Sequence, residues 1–154
     1  MTKIDLLHGD CLELGKEIES GSVDLILTDL PYGNMKNAPS TWDADKTKWD
    51  TVIEPKEVYA IANRILRKNG KMVLFSQEPY TTRLITEAIP NLPFGYRMIW
   101  EKDHFANSLI AKKAPVSYFE DILVFNKDYD VEGIHPLRDY FARVLEFIGK
   151  GLKD

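Results

Sequence analysis

Val23-Asp24-Leu25-Ile26-Leu27-Thr28-Asp29-Leu30-Pro31-Tyr32-Gly33 decides how this chain folds. The run from Val23 to Thr28 is apolar apart from Asp24 and Thr28, as expected of a parallel strand covered on both sides. It ends in a carboxylate, a proline-stiffened backbone and an aromatic ring, where a buried strand should emerge into a cleft. Open α/β sheets put their chemistry at such strand ends. A rim of this composition suits the gripping of a flat, amino-bearing ring.

Working outward, strands and helices alternate. Lys3 to Leu7 reads as a first strand, followed by a short helix from about Cys11 to Glu19 with Cys11, Leu14 and Ile18 on one face. Downstream, Val58, Ile61, Ala62, Ile65 and Leu66 recur at helical spacing, and Lys68-Asn69-Gly70 supplies a stop. Lys71 to Phe75 is a third buried strand, and a helix near Thr82 to Ala88 ends before Pro90. This order predicts an α/β, Rossmann-like doubly wound sheet, mostly parallel. Tyr96 to Lys102 and Asp121 to Phe125 are strand-like and separated by too long a segment for a tight hairpin.

Composition narrows the classes. The 154 residues, 44% hydrophobic and 29% charged, fit one core-bearing domain. A single cysteine, Cys11, cannot form an internal disulfide, and neither a leader nor a membrane-length apolar run is present, so a reducing, cytoplasmic setting is expected. His8, His104 and His135 have no metal-ligand spacing with one another or with Cys11, and no metal is expected. The formal net charge of -4 argues against non-specific nucleic-acid binding. It hides a gradient, however: residues 1–60 carry -6, residues 61–127 carry +4 and residues 128–154 carry -2. The middle stretch either faces phosphates or is an ordinary solvated surface.

Thr28-Asp29-Leu30-Pro31-Tyr32-Gly33 resembles the Asp-Pro-Pro-Tyr motif of S-adenosylmethionine-dependent amino-methyltransferases. His8-Gly9-Asp10-Cys11-Leu12-Glu13 and Gly21 to Asp29 are similar to the opening of the permuted, beta-type DNA enzymes, in which the catalytic half precedes the cofactor loop. Lys48-Trp49-Asp50, Phe75-Ser76-Gln77-Glu78-Pro79-Tyr80, Trp100-Glu101-Lys102 and Glu120-Asp121-Ile122-Leu123-Val124-Phe125 extend the likeness over residues 3 to 127. The first motif proline is Leu30 here; only its backbone carbonyl is needed, and Pro31 still steers it away from helical geometry.

The resemblance implies a sheet finishing in an antiparallel edge pair, S-adenosylmethionine as cofactor and DNA as partner. Asp29 and the Leu30 carbonyl would each accept a hydrogen bond from an exocyclic amine, with Pro31 stiffening the turn and Tyr32 stacking on a flipped-out base. Asp29 rather than serine resembles adenine N6 enzymes more than cytosine N4 enzymes. Asp10 and Cys11 would lie near the cofactor adenine, or Asp10 is simply a helix N-cap. Ser76 and Gln77 would line the cofactor or base pocket with Asp29. Gly33 would hinge the loop from Asn34 to Trp49, with Trp49 a packing residue or a base wedge. Lys102, Lys112 and Lys113 are candidate phosphate contacts. Rival readings are methylation of an RNA base or a protein amine, and a non-catalytic DNA-binding or assembly module.

The resemblance implies that residues 1–127 are the catalytic half of a methyltransferase domain and that 128–154 are a terminal helix segment, either the start of a target-recognition region or an interface. The expected glycine-rich cofactor turn is missing, since Gly149-Lys150-Gly151 follows a helix-like stretch rather than a strand. Leu137, Tyr140, Phe141, Val144, Leu145 and Ile148 form an apolar stripe. That stripe should dock on the domain, on a second copy as a homodimer, or on a C-terminal half absent from this chain, which suggests a truncated enzyme.

Overall fold

A computed structural model describes residues 3–33, 50–106, 115–129 and 144–149. The elements are α1 (Cys11–Leu14), a 3₁₀ turn (Gly15–Glu17), β1 (Val23–Asp29), α2 (Pro55–Ile65), β2 (Leu66–Ser76), α3 (Tyr80–Thr86), β3 (Phe94–Ala106) and β4 (Ser117–Asn126). Residues 144–149 are helical. The strands form one sheet in the order β1-β2-β4-β3. β1 and β2 are parallel, and β4 runs antiparallel to both β2 and β3. The α/β architecture and the antiparallel edge pair agree with expectation. The parallel component is smaller than expected, being a single pair among the described residues.

Local chemistry sets the boundaries. Pro55 opens α2, where its fixed φ suits the first turn and its missing N–H costs nothing. Tyr59, Ala62 and Ile65 then face the sheet at helical spacing. The Lys68-Asn69-Gly70 stop falls inside β2, as an irregularity: Val23 pairs with Leu66, but Leu25 pairs with Lys71. Asn69 takes φ 65 there, and a Cβ on Gly70 would lie 2.9 Å from the Arg67 carbonyl. Beyond this point the ladder is regular as far as Asp29 opposite Phe75.

Helices α2 and α3 pack on one sheet face. Tyr59, Tyr80 and Leu84 meet Met72, Leu74, Leu123 and Phe125 in one core, with Tyr59 and Phe125 edge to face at 5.6 Å. The register puts Leu27, Val73, Val124 and Tyr96 in one row on the opposite face, and Asp29, Phe75, Ile122 and Met98 in the next. Leu27 (61%), Tyr96 (53%) and Met98 (42%) remain exposed while Val124 between them is buried, so the outer strands of that face are uncovered among the described residues.

Lys3 to Leu7 is not a strand. Its backbone has no regular structure, and Ile4 and Leu6 are exposed. An apolar run becomes a strand only beside a neighbour that completes its hydrogen bonds, and none lies next to it among the described residues. The helix expected over Cys11 to Glu19 is shorter, passing into the 3₁₀ turn at Gly15.

Candidate active site at the strand ends

β1 delivers Asp29 to the carboxyl end of the sheet, where its side chain is exposed. Leu30 turns inward and is buried in the core. The chain then doubles back, so that the Tyr32 hydroxyl donates a hydrogen bond to Asp29 Oδ1. Among the described residues Asp29 makes no salt bridge, and the Tyr32 hydroxyl is the partner of its carboxylate. The Tyr32 ring packs against the core, tilted 36° to Tyr80 at 6.3 Å. Burial, the bond to Asp29 and the charges of Asp29, Glu120 and Asp121 all push its phenol well above the usual tyrosine range.

Two further contacts hold this turn. Tyr80 donates its hydroxyl to the Ile53 carbonyl at 2.6 Å, which fixes the ring that backs Tyr32. Gly33, at φ 73, donates its amide to Asp50 Oδ1 at 2.8 Å, and Asp50 is buried. The tetrapeptide is therefore anchored immediately after its last residue.

Beside it lies a buried polar chain. Ser76 and Thr81 share a hydrogen bond of 2.7 Å between their hydroxyls, and Thr81 donates to Asp121 Oδ2 at 2.8 Å. The other oxygen, Asp121 Oδ1, has no hydrogen bond and sits 3.7 Å from Arg97 Nη1. Ser76 is fully buried, so it reaches the rim only through Thr81 and Asp121 and cannot itself touch a ligand. Gln77 donates to Glu120 Oε1 at 3.2 Å, and both line a groove of about 190 Å³ with Glu78 and Ser117.

Lys102 is placed differently from a phosphate contact. Its ammonium pairs with Glu120 and lies 4.9 Å from the Trp100 ring centre, so its charge is already neutralised at the rim. Trp100 in turn meets Phe75 edge to face at 5.8 Å. Trp49, Lys112 and Lys113, and the loop from Asn34 to Trp49, lie outside the described residues.

Asp10 caps α1, accepting the Leu12 amide at 2.8 Å. Cys11 is exposed. An apolar cavity of about 350 Å³ opens between this segment and the sheet, and Gly9, Cys11, Thr28, Leu30 and Met72 are among its walls. Gly9 and Cys11 thus wall one side of this hollow and Thr28 and Leu30 another, while Asp10 and Asp29 are not among its walls. Asp50, Tyr80, Thr81 and Asp121 are site residues that the sequence reading did not single out. Each lies in or beside a stretch quoted for the resemblance, but only the fold shows what it holds.

Residues 23–147 match the DNA methylase family N6_N4_Mtase. The chain is 32% identical over 124 residues to the DNA adenine methyltransferase YhdJ of Escherichia coli (strain K12), covering 80% of this chain and 41% of that protein. Among solved structures it is similar to TTHA0409 of Thermus thermophilus, a putative DNA modification methylase complexed with S-adenosyl-L-methionine. That match has a TM-score of 0.54 at 17% identity, over 83% of this chain and 57% of the other. It is also similar to the cytosine-N4-specific PvuII DNA methyltransferase, with a TM-score of 0.54 at 16% identity, over 82% and 50% of the two chains. The chain therefore spans about half the length of these proteins.

Proposed function

Since the chain belongs to the N6/N4 DNA methylase family, we propose that it carries the base-gripping part of a DNA adenine N6 methyltransferase that uses S-adenosylmethionine. The observation that carries this reading is the position of Asp29, exposed at the end of β1 with one carboxylate oxygen bonded to Tyr32. The adenine preference rests on Asp29 in place of serine and on the likeness to YhdJ.

An exocyclic amine is a weak nucleophile because its lone pair is delocalised into the ring. Asp29 and the Leu30 carbonyl would each accept one amine hydrogen, favouring a tetrahedral nitrogen whose lone pair is localised. The cofactor, when bound, supplies an electrophilic methyl on a sulfonium. As the nitrogen–carbon bond forms and the carbon–sulfur bond breaks, the nitrogen loses a proton, which Asp29 is placed to take or to pass to water. A base inside a duplex is out of reach, so it must be flipped into the cleft. The 350 Å³ cavity is large and apolar enough for a purine ring, with Gly9 and Cys11 on one side of it and Thr28 and Leu30 on another.

Tritiated methyl transfer to unmethylated duplex DNA, RNA and protein, with mass identification of the modified base, tests the reading. N6-methyladenine in DNA supports it. N4-methylcytosine, or label confined to RNA or protein, contradicts it.

A second reading, a non-catalytic DNA-binding or assembly module, is favoured by the uncovered outer strands of the sheet and by Leu145, Phe147 and Ile148 exposed on the terminal helix. It is supported by DNA or partner binding that ignores both cofactor and Asp29→Ala, with no methyl transfer.

A further inference from the structure

We infer that the hydroxyl of Tyr32, separately from its ring, is a positioning group that sets the orientation of the Asp29 carboxylate. The inference rests on the proposed function and assigns that reaction a further group. An exposed aspartate at a strand end would ordinarily rotate among several orientations, each presenting a different oxygen. Here Oδ1 is held by the Tyr32 hydroxyl, three residues on in the same turn. With Oδ1 occupied, the carboxylate plane is fixed and Oδ2 is the oxygen left to meet an incoming amine.

The donor is itself held. The Tyr32 ring lies against Tyr80 at 6.3 Å, Tyr80 is fastened to the Ile53 carbonyl, and Gly33 is fastened to Asp50. A phenol half-withdrawn from water beside the carboxylates of Asp29, Glu120 and Asp121 stays protonated, so it remains a donor throughout the working pH range. The ring and the hydroxyl thus have separable tasks. The ring fills the space against Tyr80, and the hydroxyl orders the acceptor.

Tyr32→Phe removes the oxygen alone. In the full chain it should lower kcat for methyl transfer to unmethylated duplex DNA by about ten- to a hundred-fold, the scale of a misplaced reacting group, with KM for DNA and cofactor within about two-fold. Tyr32→Ala should raise KM as well. The deciding readout is a double-mutant cycle read by urea unfolding, which requires no activity: Tyr32→Phe should cost stability when Asp29 is present and have no further effect once Asp29 is alanine, because its target has gone. Normal kcat in Tyr32→Phe, or additive effects in unfolding, overturns the inference. An active Asp29→Ala chain overturns instead the reading on which it rests.

Discussion

The Gly33 amide and the Asp50 carboxylate meet at 2.8 Å across segment 34–49, closing its two ends beside the Asp29-to-Tyr32 turn. The junction is held by a charge-assisted bond to a buried carboxylate. Asp50→Ala leaves that amide without its partner and should cost about 2–3 kcal/mol, whereas Asp50→Asn keeps an acceptor oxygen and should cost less than half as much. Urea unfolding of the two variants checks this. Equal losses would mean that the bond does not hold the turn.

The inner hydroxyl chain gives a second test. Thr81→Val keeps the shape of the side chain but removes the donor to Asp121 Oδ2 and the partner of Ser76. With Asp121 Oδ1 already lacking a hydrogen bond, both oxygens of a buried carboxylate are then unsatisfied, and a loss of about 2–3 kcal/mol is expected. Adding Asp121→Leu should recover part of it, since an apolar pair is tolerated better than half of a polar one. Unfolding curves in which the double variant is weaker than Thr81→Val contradict this account of the rim.

Alkaline stability follows from the buried tyrosines. Burial, with the charges of Glu54 and Glu87 adding and Arg83 opposing, pushes the Tyr80 phenol up to about 12 from an ordinary 10.0. Tyr59 and Tyr32 are raised as well. Between pH 10 and 12 the unfolded chain has released the Tyr80 proton while the folded chain retains it, so the unfolded state binds fewer protons and stability falls as pH rises. The contribution is fully present below pH 10 and declines at about 1.4 kcal/mol per pH unit for each such group above it. Tyr80→Phe should flatten that decline in urea midpoints measured from pH 9 to 12. An unchanged slope would place the effect elsewhere.

These contacts mark where reading the sequence succeeds and where it cannot. Val23 to Asp29 was recognisable because an apolar run and a following turn are local signals. Lys68-Asn69-Gly70, read as a helix stop, instead falls inside β2 after the helix has ended at Ile65, with Asn69 at positive φ and Gly70 where a Cβ would meet backbone. Lys3 to Leu7 misled because its alternation says nothing of a missing neighbour. Asp121 sits in a readable strand, but its significance depends on Thr81, forty residues earlier and on a helix. Likewise, Lys102 looked like a cation for phosphate until Glu120 came to stand beside it. Pairings made by the fold between distant residues leave no periodic trace in the chain.

Asp29 is the residue on which the function turns, and its replacement is the most direct test. Because the side chain is exposed and supports no core contact, Asp29→Ala should retain the wild-type circular dichroism spectrum and unfold within about 1 kcal/mol of the parent. In a full-length version of the enzyme, tritiated methyl transfer from S-adenosylmethionine to duplex DNA should be present with Asp29 and fall to background in the variant. Transfer that survives the loss of this carboxylate would show that the base is gripped by something else.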